Sequence, residues 1–393
     1  MEQPATTRTS LLLLWTCGVC LRLTVLAVPP VITMIQRDLN LSGTEVGVLS
    51  GIPVVVFAVF AAPGSLLVGR IGVRGALLAG LAVAAAGAVF RAGSSNAWQL
   101  YLASIIMSVG VAVMQPSMAA AVREWMPRRS AFGTAVYTNG LIVGEIIPVA
   151  TMLSLILPLF AGSWRMGLGI WALPLVAIAV VVAALAPRSS TMVAARRNSG
   201  WLPQLDSWLN WRIGLTLGSI TSTYFCLNGF LPACLTARGH QELIGEALTA
   251  LNAGQIPASF LLLLVADRLQ GKRWPFIALG TLFCLCVVGI MISGGAWMVF
   301  WAGMVGFSCG AALPLGLSLA PLHRSDPAEV ARTSAAAFAV GYGFAMVVSF
   351  VSGIAWDLAG DASAAFIPIL LGCLPILFAT PALSQTKAVH ALR

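Results

Sequence analysis

Two ionisable side chains in this 393-residue chain fall well inside long apolar runs, Arg22 and Glu145. An arginine at membrane depth costs at least about 2.5 kcal/mol on insertion scales, so it has to face a partner or a watery cavity. A guanidinium fixed there presents a planar fork that docks a small anion at two points, whether a carboxylate, a nitro group or a cyanate-like ion. A structural tie to Glu145 or to backbone carbonyls is the plainer alternative. Glu145 stands in Gly140-Leu-Ile-Val-Gly-Glu-Ile-Ile-Pro148. A carboxylate in apolar surroundings can take up and release a proton, or it can serve as the fixed counter-ion of Arg22. Both readings stay open.

Neutral polar residues supply the rest of a candidate solute site. Tyr224 and Asn228 are four apart, and Asn252 and Gln255 three apart, so on helices each pair shares a face. An amide in hydrocarbon needs a hydrogen-bonding partner, which turns these faces inward. Gln115, Tyr137, Asn139 and Tyr342 could join them as substrate-binding groups. For any one of these residues, a helix-to-helix hydrogen bond is the simpler role. Catalytic groups are not expected, because His240, His323 and His390 all fall in loops or the tail and no histidine or aspartate cluster sits at membrane depth. Nor is a metal or other cofactor. The eight cysteines read as buried thiols, and the Cys17-x-x-Cys20 spacing has no second pair or nearby histidine.

The elements that must position these groups are apolar almost throughout. Charged residues make up 9% of the chain, where soluble proteins average about a quarter. Apolar residues reach 59% and mean hydropathy is +0.93. A soluble enzyme, a disordered chain and a nucleic-acid binder are poor fits, and an all-α integral membrane protein is expected. Cutting the apolar runs at glycine, proline and charge clusters predicts twelve spans of about 20 residues. They cover 11–36, 45–68, 75–94, 98–121, 131–157, 166–186, 212–236, 245–266, 274–294, 297–320, 333–356 and 363–383. Arg22 then lies about 16 Å into the first span at 1.5 Å per residue, near the midplane. That run carries an arginine and leads directly into another span, so no removable signal sequence is expected.

Twelve spans leave both termini on one side. Arginine and lysine number 17 in the termini and the loops of that side, against four on the other, Arg37, Arg91, Arg165 and Arg238. The positive-inside rule places the crowded side, and both termini, in the cytoplasm. The formal net charge of +9 is thus a topology signal spread over short loops. The longest loop divides the chain into an N-terminal six-helix bundle (1–186), a cytoplasmic linker (187–211) and a C-terminal six-helix bundle (212–393). Matching basic turns follow the second and eighth spans, Gly69-Arg-Ile-Gly-Val-Arg74 and Ala266-Asp-Arg-Leu-Gln-Gly-Lys-Arg273. Such internal symmetry is expected of a two-bundle secondary transporter.

Those turns resemble the cytoplasmic G-x-L-x-D-R-x-G-R-K motif of the major facilitator superfamily. The second copy keeps Asp267-Arg268 with Gly271-Lys272-Arg273; the first keeps Arg70, Gly72 and Arg74 but has Gly69 in place of the acid. The resemblance implies that Arg70, Arg74, Asp267 and Arg268 form a cytoplasmic gate. Gly140–Glu145 is similar to the fifth-helix G-x-x-x-G-P motif, with Glu145 where the motif has proline. Arg22-Leu-Thr-Val-Leu-Ala-Val-Pro-Pro30 is similar to the first span of the cyanate and 2-nitroimidazole porter group. Gln115, Trp211, Leu231-Pro232, Gly254-Gln255 and Pro314 also match that group. The implied function is secondary active transport of a small, anionic solute by alternating access, with a proton as candidate coupling ion. An efflux pump for drugs or nitroimidazoles on the same fold is the alternative. The resemblance also implies a bacterial inner-membrane type of location and a working monomer, with solute and bilayer as partners and no nucleic acid.

Overall fold

The computed structural model describes residues 7–187, 207–269, 272–323 and 327–379, and among them it contains helices and turns and no strand. The linker expected at 187–211 lies mostly outside the described residues. The first predicted span is two helices. α1 (Thr7–Leu23) stops one residue after Arg22, and α2 (Ile32–Leu39) starts only after the turn Pro29–Val31. Pro29 and Pro30 have no N–H to give the carbonyls of Val25 and Leu26, and the ring of Pro29 would strike the former in a continuous helix. α3 (Gly43–Ala92) carries the second and third spans and turns at Gly72, where φ is 73°. Glycine reaches that backbone region at little cost, and the first basic turn is built around it.

α4 (Ala97–Trp125) begins on Asn96, whose side chain accepts from the Gln99 N–H. α5 (Ser130–Thr151) runs on through the wide turn Met152–Ile156, and α6 (Trp164–Gly169) and α7 (Ala172–Leu185) make up the sixth span. Next come α8 (Trp208–Ala237), α9 (Ile244–Ala253), α10 (Gln255–Leu269) and α11 (Trp274–Ile292). α12 (Ala296–Leu317), α13 (Pro327–Ala359) and α14 (Phe366–Phe378) complete the order. The eighth span is interrupted at Gly254, between α9 and α10, and Pro257 withholds the next helical donor from Ala253.

Two compact units emerge, Met1–Asn40 with Val59–Asn198, and Leu41–Ala58 with Ser199–Arg393. In the first, α1 lies against α5 at backbone distance. A Cβ added to Gly18 would collide with the Tyr137 carbonyl, one on Gly140 with that of Trp15, and one on Gly144 with that of Val19. Small residues permit such approach where lipid supplies no hydrophobic drive between helices. In the second unit α8 meets α13 the same way: Gly214 abuts Val340, Gly218 abuts Phe344, and Gly341 faces the Gly214 carbonyl. Gly306 and Gly310 of α12 abut the carbonyls of Leu251 and Gln255.

The opening stretch of α3 belongs to this second unit. Asp357 of α13 accepts hydrogen bonds from the N–H groups of Gly43 (2.5 Å) and Thr44 (2.8 Å) and from the Thr44 hydroxyl. A carboxylate thereby satisfies donors at a helix start that have no partner within the helix.

Among the described residues, eight helical stretches are long and apolar enough to cross a membrane. The predicted spans that fall short are the broken first and eighth, the polar α8 and the short α14. Trp98, Trp208, Trp274 and Trp297 are exposed, each within two residues of a helix start, as interfacial tryptophans are. Exposed Leu102, Leu173, Val180 and Leu371 lie within helices, where only lipid would cover them. The protein is an all-α, multi-pass membrane protein.

Candidate functional site

The α1–α5 contact sets the register that brings the two intramembrane charges together. Trp15 against Gly140 and Val19 against Gly144 advance one turn at a time along parallel helices, and just beyond them Arg22 meets Glu145. Arg22 Nε lies 3.2 Å from Glu145 Oε1, with side-chain exposures of 12% and 4%. Pro148, one turn beyond Gly144, cannot donate to the Gly144 carbonyl, so α5 is loosened beside the carboxylate. A buried cation, its counter-ion and a helix that ends one residue later are chemically able to hold an anion.

A buried charge escaped the sequence reading, which counted Arg91 among loop and helix-end charges. Arg91 is the penultimate residue of α3, as that reading has it, yet it is only 2% exposed. Its Nη1 donates to the Thr24 carbonyl at 2.7 Å and its Nε to Ser104 Oγ at 3.1 Å. Chain position alone suggested a helix end at the surface, yet the α1 break and α4 enclose it. The readable signal was an arginine preceded by an unbroken apolar run and lacking any acidic neighbour in sequence.

Of the other first-unit candidates, Asn139 accepts from the Trp15 indole at 2.9 Å, a helix-to-helix bond. Tyr137 and Gln115 are part-buried. Arg74 donates to the Ala183 carbonyl in the last turn of α7, satisfying a helix end, while Arg70 is exposed. Arg268 is exposed at the end of α10, and the Asp267 side chain lies outside the described residues, as do Gln270 and Gly271.

In the second unit the predicted polar faces meet. The Tyr224 hydroxyl donates to Asn252 Oδ1 at 2.6 Å, Asn252 Nδ2 donates to Asn228 Oδ1 at 3.1 Å and to the Leu248 carbonyl at 2.7 Å, and Asn228 Nδ2 donates to the Tyr224 carbonyl at 2.9 Å. Gln255 Nε2 reaches the Asn252 carbonyl at 3.4 Å, across the Gly254 break. These groups satisfy one another in the interior, so the network ties α8 to α9. Tyr342 stacks on Phe338, with ring centroids 5.7 Å apart, and meets the edge of Phe57. The described residues contain no group of three or more metal-ligating side chains, and all eight cysteines are free.

The family model described as Major Facilitator Superfamily matches residues 14–350. The chain is 24% identical over 359 residues to the cyanate transport protein CynX of Escherichia coli K12, covering 89% of this chain and 91% of that one. It is 25% identical over 328 residues to a 2-nitroimidazole transporter of the same organism, covering 82% and 81%. With the uncharacterized transporter YycB of Bacillus subtilis 168 it shares 22% over 346 residues, 86% and 84% of the two chains. Among solved structures, the nucleoside transporter NupG superposes with a TM-score of 0.76 at 15% identity over 95% of this chain and 98% of that one. The xylose transporter XylE of E. coli superposes at 0.75 and 13% identity over 94% of each.

Proposed function

Because this chain belongs to the major facilitator superfamily, we propose that it is a secondary active transporter for a small anion of cyanate, nitro or carboxylate type, working by alternating access. Arg22 is the docking group and Glu145 its exchangeable counter-ion. The observation that carries this reading is the buried ion pair at 3.2 Å, the meeting point of two charges on glycine-packed helices. An arriving anion shares the Arg22 fork with a carboxylate of like charge. A proton on Glu145 removes the repulsion and frees the guanidinium, so anion and proton travel together. That two relatives are named for cyanate and 2-nitroimidazole transport supports a small solute able to engage a planar fork. Gln115 and Tyr137, part-buried in the same unit, are the polar groups proposed to contact the rest of it. Export of nitroimidazole-like compounds on the same fold is the second reading, favoured by the latter relative.

The basic turns built on Arg70 and Arg74 and on Asp267 and Arg268 act as the cytoplasmic gate, and the charge asymmetry sets both termini in the cytoplasm of a bacterial inner membrane. One chain suffices for transport.

A thermal-shift titration of purified protein with cyanate, nitrite, small carboxylates and nitroimidazoles tests the proposal, since a ligand that binds the folded state raises its apparent stability. At least one anion should stabilise the wild type, and Arg22→Gln should abolish that shift in a protein that still folds. A full shift in the variant would overturn the docking role.

A further inference from the structure

We infer that Arg91 is a positioning residue for the anion site, holding the break in the first span through the Thr24 carbonyl and so fixing where Arg22 stands. The inference rests on the anion-docking role given to Arg22 above. In an unbroken helix the Thr24 carbonyl would accept from the N–H of Val28. Here α1 has ended at Leu23, and the Val25 and Leu26 N–H groups both turn back to the Arg22 carbonyl, at 3.1 and 3.0 Å. The Thr24 carbonyl is left to a donor from outside the span, and Arg91 Nη1 supplies it at 2.7 Å. A buried carbonyl without a donor is unfavourable, so the guanidinium stabilises the proline-set turn against opening.

The anchor is itself held in place. Arg91 Nε donates to Ser104 Oγ, the Ser108 hydroxyl one turn on donates to the Ser104 backbone carbonyl, and the Thr24 hydroxyl donates to Met107 Sδ at 3.0 Å. The turn after Arg22 is thus gripped from α3 and α4, while α5 holds α1 on the other side through Gly140 and Gly144. Arg91 is 2% exposed, too enclosed to meet solute in this conformation. Its effect passes through Leu23, the one residue that separates Thr24 from Arg22.

The test compares wild type with Arg91→Met, Arg91→Gln and Arg91→Lys in two measurements. In hydrogen–deuterium exchange, the Val25 and Leu26 amides should exchange at least tenfold faster in Arg91→Met, with α5 unchanged. In anion uptake by proteoliposomes, KM should rise about tenfold or more while the maximal rate per folded protein stays within about twofold. Arg91→Lys, which keeps a cationic donor, should restore KM to within about threefold. Should Arg91→Met fail to fold, Arg91→Gln reads the same two quantities, with a smaller rise in both. Unchanged exchange at Val25 and Leu26, or a fall in maximal rate at constant KM, would overturn the positioning role. If Arg22→Gln itself leaves KM unaltered, the docking reading has failed, whereas the exchange measurement still judges the Arg91 anchor.

Discussion

Neutralising Glu145 separates a competing counter-ion from a passive one. At the observed 3.2 Å, and with an effective dielectric constant of about 20, Coulomb's law gives the pair about 5 kcal/mol of gross attraction. Desolvation of two largely buried groups offsets much of this, but removing one partner leaves the other charge buried, at a cost of about 3–5 kcal/mol. In Glu145→Gln the deficit falls on Arg22, and a bound anion recovers part of it. Recovering only about 1.4 kcal/mol tightens binding tenfold. The expectation is therefore a variant less stable when empty, yet binding the transported anion at least about tenfold more tightly. Protonation should do the same to the wild type, whose affinity should tighten as pH falls, whereas the glutamine variant should lose that dependence. Thermal-shift titrations and calorimetry of purified protein at two pH values and low ionic strength read all three quantities. A folded Glu145→Gln protein that binds the anion no better, or that keeps the pH dependence of the wild type, would refute the competition between carboxylate and solute.

Two other substitutions probe the framework. Gly144→Val sets a side chain against the Val19 carbonyl and should force α1 off α5, costing about 1–3 kcal/mol as overpacking does, with the melting temperature and anion affinity falling together. An intact affinity in a destabilised protein would show that the glycine contact does not place Arg22. Asn252→Ala strips partners from the Tyr224 hydroxyl and the Asn228 amide oxygen, each an interior polar group whose orphaning costs about 1–3 kcal/mol. Stability should drop with anion affinity held within about threefold. A large loss of affinity would instead make the network part of the solute site.

Much of the fold was legible because span length and apolar content are fixed by the bilayer, whatever each helix packs against. Legibility failed where polar chemistry enters. The first span reads as one run from 11 to 36, although Val28-Pro29-Pro30 sits inside it and breaks it next to Arg22. Both α8, rich in serine, threonine and amides, and the α9–α10 pair broken at Gly254 fall short of a plain spanning helix. These are the elements that carry Tyr224, Asn228, Asn252 and Gln255, so a deficit of hydropathy marked the helices with candidate chemistry. The burial of Arg91 was missed for a different reason. Depth in the sequence is measured from the ends of an apolar run, whereas its burial comes from α4 and from the break in the first span, neither adjacent in sequence. The pairing of the α3 start with Asp357 is equally long-range, and no local pattern at Gly43 or Thr44 announces it.

The two units use one packing device for unequal ends. First and fifth spans in one, and seventh and eleventh in the other, approach through glycines to backbone distance. Among the described residues the first seam carries the Arg22–Glu145 ion pair, whereas the glycines of the second meet Val340, Phe344 and another glycine. Close packing therefore explains the approach of the helices but not the ion pair. A buried arginine and glutamate bring a desolvation cost that a glycine seam does not require. The anion-docking proposal supplies a reason for that cost, which packing does not.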